Sequence, residues 1–172
     1  SRNYPCSPST VHHLPSPMFE LDLLQFSKDL IFKKEGNQRF IFDPIRKKYL
    51  VIGPEEMVRQ LMVQYLIQVK NYNPNRLSIE RELRVQERRK RCDLLVFSQA
   101  MKPFLLVECK APEVKLTQAV ARQIAVYNLP LQVDYLLITN GLANYCFKMN
   151  YEEKSYEFLK EIPDFASLTP DP

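Results

Sequence analysis

Glycine is scarce in this chain. Among its 172 residues only three are glycines, Gly36, Gly53 and Gly141. None of them belongs to a GxxxxGK(S/T) or GxGxxG loop, the glycine-rich patterns that hold nucleotide phosphates. The chain is therefore predicted to carry neither an ATP-driven motor nor a dinucleotide site, and any activity must rest on other residues.

Paired cysteines and a histidine-rich cluster are also missing. The four cysteines are far apart and form no CxxC pair, so neither a zinc site nor a disulfide framework is indicated, and reduced thiols are expected at Cys6, Cys92, Cys109 and Cys146. The two histidines, His12 and His13, lie in the proline-rich N-terminal stretch, where an unstructured pair is favoured over a metal site. Without a histidine nearby, Cys109 has no evident base to activate it as a nucleophile.

No apolar run approaches the roughly 20 residues that a membrane helix needs, and the N-terminus lacks the layout of a secretory signal. We therefore expect a soluble cytoplasmic protein with no membrane partner. The chain is long enough and, at 45% hydrophobic residues, apolar enough to form one domain with its own core. Residues 1–17 are predicted to form a flexible arm, residues 18–161 the domain, and residues 162–172 a non-regular tail.

Positive charge is unevenly spread along a chain whose net charge is only +4. Six basic residues crowd into eleven positions: Arg81, Arg84, Arg88, Arg89, Lys90 and Arg91. Such a cluster could bind a polyanion such as DNA. A solvated, charge-rich hairpin turn explains it equally well, with Glu80 and Glu82 as its ion-pair partners. The cluster alone decides nothing.

The first half of the chain predicts a β-hairpin followed by a helix. Two short apolar runs, residues 39–42 and 49–52, flank a turn sequence. Pro54 suits a first helical position and Glu55 and Glu56 suit a helix N-terminus, so a helix to about Lys70 is expected. Its apolar face is predicted to comprise Val58, Leu61, Met62, Tyr65, Leu66 and Val69.

The second half predicts three strands, a helix and two more strands. The strands are expected at 77–85, 92–97 and 104–109, and the last two are so apolar that they should be covered on both faces. Helical spacing runs from Lys115 to Tyr127, with Thr117 as its cap and Leu116, Val120 and Ile124 on the apolar face. Strands at 135–139 and 144–148 complete a β-β-α-β-β-β-α-β-β order.

Three charged residues lie beside these apolar strands. Asp93 is predicted to open one strand, Glu108 to lie near the end of its antiparallel neighbour, and Lys110 to follow two residues later. The hairpin would bring both carboxylates to one end of the sheet, and the period of two would direct Glu108 and Lys110 to one face, with the carbonyl of Cys109 between them. Carboxylate and carbonyl oxygens suit Mg²⁺, and an ammonium group can orient water or offset charge on a phosphate.

Ordinary surface ion pairs would account for such spacing more often than a catalytic site does. The surroundings favour the site. Glu108 and Lys110 follow the apolar run at 103–107, and charges at the end of a doubly buried strand are costly unless they are paired or bind a cation.

Four segments give a more specific indication: Arg91-Cys-Asp-Leu-Leu-Val-Phe97, Leu105-Leu-Val-Glu-Cys-Lys-Ala-Pro112, Gln123-Ile-Ala-Val-Tyr127 and Tyr135-Leu-Leu-Ile-Thr-Asn-Gly141. Together they resemble the N-terminal nuclease domain of type I restriction enzyme R subunits, of the PD-(D/E)xK superfamily. The resemblance extends from about Phe19 through Tyr151. One departure is Cys92, which stands where the superfamily name suggests proline.

The resemblance implies an α/β, restriction-endonuclease-like fold: a mixed sheet with an αβββαβ core flanked by helices, preceded here by the N-terminal hairpin. It implies that Asp93 and Glu108, with the Cys109 carbonyl, bind Mg²⁺, for which Mn²⁺ can substitute. Lys110 would be the catalytic lysine. Glu55 would be the helical carboxylate, and Glu56 is its rival.

The resemblance further implies that Gln123 and Tyr127 contact DNA together from one helix face, although Tyr127 could instead belong to the core and Gln123 to the surface. Arg88, Arg89, Lys90 and Arg91 would hold the DNA backbone, and restriction-modification or motor subunits would be partners. A Mg²⁺-dependent deoxyribonuclease domain is therefore the leading hypothesis. A non-catalytic nucleic-acid-binding or assembly module with the same fold is the alternative.

Overall fold

A computed structural model describes residues 16–85 and 88–164, with side chains left out for 81–92. The predicted flexible arm, with both histidines, lies outside the described residues except for positions 16 and 17. The predicted tail lies outside them beyond residue 164. Contacts continue to that point: Ile162 is 1% exposed in the core, and the Tyr72 hydroxyl donates to the carbonyl of Pro163 at 2.8 Å.

A small antiparallel sheet precedes the main domain core. After a short 3₁₀ helix at Leu24–Asp29, the chain forms β1 (Phe32–Glu35), β2 (Gln38–Asp43) and β3 (Lys48–Val51), in that order across the sheet. The predicted hairpin is confirmed as β2 and β3, which pair from Phe40 with Val51 to Asp43 with Lys48. The sequence pattern does not predict β1, because three of its four residues are charged and none of the four is buried.

Helix α1 (Pro54–Gln68) begins as predicted at its proline and ends two residues before the expected limit. Val58, Leu61, Met62, Tyr65 and Leu66 are buried on its inner face, whereas Val69 remains 43% exposed. Arg59 and Gln60 are also buried, which an apolar periodicity cannot predict. Their burial is possible because carboxylate partners surround them, as described below.

The main sheet contains six strands: β4 (Leu77–Val85), β5 (Arg88–Phe97), β6 (Pro103–Cys109), β7 (Tyr135–Thr139), β8 (Asn144–Asn150) and β9 (Ser155–Leu159). They are adjacent in chain order, and only β6 and β7 are parallel. Helix α2 (Gln118–Asn128) makes that parallel crossover. The order α1-β4-β5-β6-α2-β7 confirms the expected αβββαβ core and the mixed α/β fold class.

The two helices cover opposite faces of the sheet. Leu94, Val96, Leu105 and Val107 pack in the core on the α1 side. Their sequence neighbours Leu95 and Leu106, with Leu136 and Ile138, pack on the α2 side. The predicted double burial of these strands is confirmed. Because side chains alternate along a strand, Glu108 falls on the same face as Leu106, which is the α2 face.

Two features of the sheet differ from the expectation. Strand β5 begins at Arg88 and not at Cys92, so Asp93 lies within the strand and not at its start. The reason is that backbone pairing with β4 continues through the charged positions, to Val85 with Arg88. Strand β9 was not predicted, since it is an edge strand without buried residues. No helix among the described residues is both long and apolar enough to span a membrane.

Candidate active site

The predicted site residues converge on one open cleft of about 570 Å³, between α1, the sheet and α2. Its walls come from four elements of the αβββαβ core. They are formed by Glu55, Asp93, Glu108, Lys110, Gln123, Ile124 and Tyr127. Three carboxylates, one lysine and a glutamine–tyrosine pair therefore share a single solvent-facing cavity.

The β5–β6 hairpin places the first two carboxylates next to each other. Antiparallel pairing runs as far as Leu94 with Val107, so the next residues outward on the two strands are Asp93 and Glu108. The expected juxtaposition is thus present, but for a different reason. It is β6 that ends here, at Cys109, while β5 continues in the opposite direction past Asp93 as half of a two-stranded ribbon with β4.

Both carboxylate oxygens of Asp93 have defined donors. The backbone N–H of Cys109 donates to Oδ2 at 2.9 Å, and Nη2 of Arg59 donates to Oδ1 at 3.2 Å. The Asp93 side chain is 24% exposed, so it still reaches the cleft. The two donors thus fix both oxygens of a side chain that is still partly open to solvent.

Glu108 is held by a residue that the sequence analysis missed. Asn128, the last residue of α2, is 3% exposed and donates from Nδ2 to Glu108 Oε1 at 3.0 Å. The same amide nitrogen donates to the carbonyl of Ile124 at 2.8 Å. A buried asparagine seven residues after Ala121, on the inner face of the helix, was the available signal, because polar groups on such a face need partners.

Lys110 follows the end of β6, and its backbone extends the ladder by one residue. Its N–H donates to the carbonyl of Thr139 at 2.8 Å, so the backbone keeps the extended form just beyond the strand. The period of two then places Lys110 on the face of Glu108, and both side chains line the cleft. The predicted convergence of these two residues on one cavity is what the geometry shows.

The structure separates Glu55 from Glu56. Glu55 lines the cleft and its side chain is 49% exposed. Glu56 is 12% exposed and is committed to ion pairs with Arg46 and Arg59 and to a hydrogen bond from Gln60 at 2.9 Å. Of the two rivals, only Glu55 presents its carboxylate to the cavity.

Arg59 links α1 to the sheet beneath the cleft. It is 5% exposed and contacts Glu56 and Asp93, with Glu55 at 3.5 Å. Burial lowers the pKa of Arg59, but the charges of Glu56 and Asp93 outweigh that effect, so its pKa lies above the ordinary value. The guanidinium is therefore a permanent cation placed between these carboxylates.

Gln123 and Tyr127 lie one helical turn apart on the outer face of α2. Both are exposed and both line the cleft, and Tyr127 is 69% exposed. The alternative that Tyr127 belongs to the core is wrong, because the buried face of α2 consists of Ala121, Ala125 and Asn128. Thr117 caps the helix as predicted, accepting a hydrogen bond from the backbone N–H of Val120.

Residues 54–163, more than half of the chain, match the sequence model of the family described as type I restriction enzyme R protein N terminus. The chain belongs to this family. The match includes every residue that lines the cleft. It begins one residue after Gly53, and therefore leaves the three-stranded sheet outside.

This family member is similar to a solved fragment of a putative HsdR subunit of a type I restriction enzyme from Vibrio vulnificus YJ016. Sequence identity is 20% and the TM-score is 0.47. The similarity covers 66% of this chain but only 24% of that one, so the chain spans about a quarter of the similar protein. A comparison with curated proteins finds no match.

Burial rules out thiolate chemistry at Cys109. The residue is 0% exposed, and burial together with the nearby charge of Asp93 raises the pKa of its thiol far above the usual range. A neutral, inaccessible thiol is a poor nucleophile. Its part in the site is its backbone, which donates to Asp93.

The basic cluster is placed by its backbone alone. Residues 81–85 and 88–92 pair as a two-stranded ribbon that continues from the sheet directly beside Asp93. The side chains of Arg88, Arg89, Lys90 and Arg91 lie outside the described residues, so their predicted DNA contacts are untested. For Glu80, a partner outside the cluster is present: Arg46 donates to its carboxylate.

The donor chemistry of the cleft suits a hard divalent cation. Asp93, Glu108 and Glu55 carry carboxylate oxygens, the kind of donor that Mg²⁺ and Mn²⁺ prefer. Within the described part of the chain, no three or more His, Cys, Asp or Glu side chains are grouped closely enough to hold a metal. A cation here would therefore need water, a backbone carbonyl or a substrate oxygen as further ligands, as Mg²⁺ commonly does.

Proposed function

We propose that this domain is a Mg²⁺-dependent deoxyribonuclease that hydrolyses DNA phosphodiester bonds. The observation that carries the proposal is the convergence of Asp93, Glu108 and Lys110 on one open cleft. A buried asparagine fixes one of these carboxylates, which an ordinary surface ion pair would not require. The family, whose description names a restriction enzyme, supports the same function.

Asp93 and Glu108 are proposed to hold the metal, with the carbonyl of Cys109 as a third ligand. A bound Mg²⁺ would neutralise charge on the scissile phosphate and make a coordinated water more acidic. The hydrogen bonds from Arg59 and Asn128 orient the two carboxylates before a metal arrives. Such orientation reduces the reorganisation that ligand binding would otherwise require.

Glu55 is proposed as the helical carboxylate of the site. Half of its side chain is exposed at the cleft, in contrast to the internally paired Glu56. It could accept a hydrogen bond from metal-bound water, or bind the metal directly if the cleft closes on substrate. In either role it extends the negative wall opposite α2.

Lys110 is proposed as the catalytic lysine. Its backbone is anchored to β7, so the ammonium group starts from a fixed point two residues beyond Glu108. A cation at this position can orient the attacking water or offset the negative charge that grows on the phosphate in the transition state.

Gln123 and Tyr127 are proposed to contact the DNA strand that enters the cleft. Their exposure on the α2 wall leaves an amide and a phenol ring toward a bound ligand. The amide can hydrogen-bond a phosphate or base, and the ring can stack on a base. Arg88, Arg89, Lys90 and Arg91 would hold the flanking backbone from the β4–β5 ribbon, with affinity that falls as salt rises.

The wider setting is proposed from the family. The domain would act in the cytoplasm beside restriction-modification or motor subunits, and those subunits would supply the ATP-driven movement for which this chain lacks a nucleotide-binding motif. Sequence selection would come from the partners, since nothing in the sequence resembles a module that reads base edges in the major groove.

Cleavage of supercoiled plasmid in Mg²⁺ or Mn²⁺ tests the proposal. We expect nicked and linear products from the wild type, and a loss of at least about a hundredfold in rate for Asp93→Asn and Lys110→Ala, because each removes a group that acts in the transition state. Lys102→Ala is the matched control. Lys102 is an exposed lysine of the β5–β6 turn, at the opposite end of the hairpin.

Two outcomes would contradict the nuclease. One is an inactive wild type across both metals and a range of salt, and the other is a Lys110→Ala variant as active as Lys102→Ala. DNA binding without cleavage would instead support the non-catalytic module, which the absence of a ready three-side-chain metal cluster among the described residues favours.

A further inference from the structure

A continuous chain of ion pairs joins the small N-terminal sheet to the cleft. It runs from Asp43 through Arg46, Glu56 and Arg59 to Asp93. Its first two members belong to the β2–β3 hairpin and the next two to α1. The last member is the proposed metal ligand on β5.

Hydrogen bonds hold the hairpin end of this series of ion pairs. Asp43 is 0% exposed, and its Oδ1 accepts hydrogen bonds from the backbone N–H groups of Ile45 at 2.8 Å and Arg46 at 3.0 Å. Its other oxygen accepts from Nε of Arg46 at 2.5 Å. The β2–β3 turn thus fixes both the backbone and the guanidinium of Arg46.

Arg46 uses its remaining nitrogens on two other elements. Nη2 contacts Glu56 of α1 at 3.3 Å, and Nη1 donates to Glu80 of β4. One guanidinium therefore binds three carboxylates from three elements. A planar group with five donors can do this in one geometry, which a lysine ammonium cannot reproduce.

Glu56 connects Arg46 to Arg59. One oxygen of Glu56 accepts from Arg46 and Gln60, and the other accepts from Nη1 of Arg59. Nη2 of Arg59 then donates to Asp93. Along this series Arg46 links Asp43 to Glu56, and Arg59 links Glu56 to Asp93, so a shift at either end must be taken up by the next pair. Because these groups are largely buried, water can replace the lost contacts only poorly.

We propose that Arg59 is a positioning residue for Asp93, and that the β2–β3 hairpin sets the position of Arg59 through Arg46 and Glu56. The small sheet, which precedes the residues that match the family, would then help to position Asp93 in the active site. The catalytic consequence rests on the proposed nuclease function, whereas the structural coupling does not.

A double-mutant cycle tests the coupling without any activity assay. Arg46→Gln and Asp93→Asn are made singly and together in the 172-residue chain, and unfolding equilibrium constants are measured in urea with EDTA present. We expect the unfolding equilibrium constant of the double variant to differ by more than about threefold from the value that the two single effects predict when multiplied. This coupling is expected although Glu56 and Arg59 lie between Arg46 and Asp93 in the series of ion pairs. Lys48→Gln, an exposed charge loss in the same hairpin, should combine with Asp93→Asn without such a departure.

The same variants are then assayed on plasmid DNA. Arg46→Gln should lower kcat roughly tenfold while KM changes little, the pattern of a group that orients another and does not bind substrate. Lys48→Gln should match the wild type. If Arg46→Gln does not fold, Arg46→Lys replaces it in both measurements, since it keeps the charge but loses the three-way geometry.

Each result has one meaning. Independent effects of Arg46→Gln and Asp93→Asn on stability overturn the inference. So does coupling accompanied by an unchanged kcat in an active enzyme. Coupling in a protein that never cleaves DNA supports the hairpin's hold on Asp93 and refutes the nuclease function instead.

Discussion

The hydrogen bond from Asn128 to Glu108 allows a quantitative prediction. Asn128→Ala removes a donor 3.0 Å from a carboxylate and 2.8 Å from the Ile124 carbonyl. A hydrogen bond to a charged group contributes about 1.5–3 kcal/mol and a neutral one about 0.5–1.5 kcal/mol. We therefore expect the free energy of unfolding to fall by about 2–4.5 kcal/mol. For a chain of this size that corresponds to a melting temperature lower by about 4–18 °C.

The partner residue separates the two contributions. In a Glu108→Ala background, Asn128→Ala should cost only the helix carbonyl bond, about 0.5–1.5 kcal/mol. Urea unfolding of the four proteins measures both values. If Glu108 binds the metal as proposed, plasmid cleavage should show a tenfold or greater loss in rate for Asn128→Ala. Equal costs in the two backgrounds would refute the assignment of Asn128 as the residue that orients Glu108.

Three further outcomes are expected. Gly141→Ala should destabilise the protein by about 1–3 kcal/mol in urea unfolding, because its φ is +88° and a Cβ would lie 3.2 Å from an α1 side chain. Gly53 has open space around it, so Gly53→Ala should cost less than about 0.5 kcal/mol. Cys109 and Cys146 should resist iodoacetamide at pH 8 in the native state, because burial raises the pKa of both thiols, and should react in urea. Mass spectrometry of the labelled protein measures this, and rapid labelling of native Cys109 would contradict its burial. Arg59→Met should cost about 1–3 kcal/mol, since it removes the cation beside Asp93 and one of the two cations beside Glu56, and a melting temperature within 2 °C of the wild type would disprove that.

Much of the fold follows from local patterns. The apolar runs at 92–97 and 104–109 have no polar alternation, which only a strand covered on both faces can tolerate, and the structure covers them with α1 and α2. Proline and glutamate locate the start of α1, and Thr117 locates that of α2. Patterns fail at the sheet edges. Strands such as β1 and β9 bury little, so their residues carry no periodic signal.

The site follows the sequence only in part. Spacing and residue chemistry place Asp93, Glu108 and Lys110 together, because hairpin pairing and the strand period are local rules. The predicted start of β5 is wrong, since charged residues that suggest a turn can also pair through their backbones in a two-stranded ribbon. The wrong start of β5 does not change the position of the site, because the end of β6 at Cys109 determines where the pairing of β5 with β6 stops.

The sequence by itself determined the order of the αβββαβ core, the family and the trio at the cleft. Only the tertiary structure shows that Glu55, and not the adjacent and chemically similar Glu56, lines the cleft. The difference arises from Arg46, ten positions away in sequence, which pairs with Glu56 and leaves Glu55 at the cavity. The tertiary structure also shows that Asn128 donates a hydrogen bond to Glu108 and that Arg59 donates one to Asp93. Such long-range pairing depends on the relative placement of packed elements, and no local spacing encodes that.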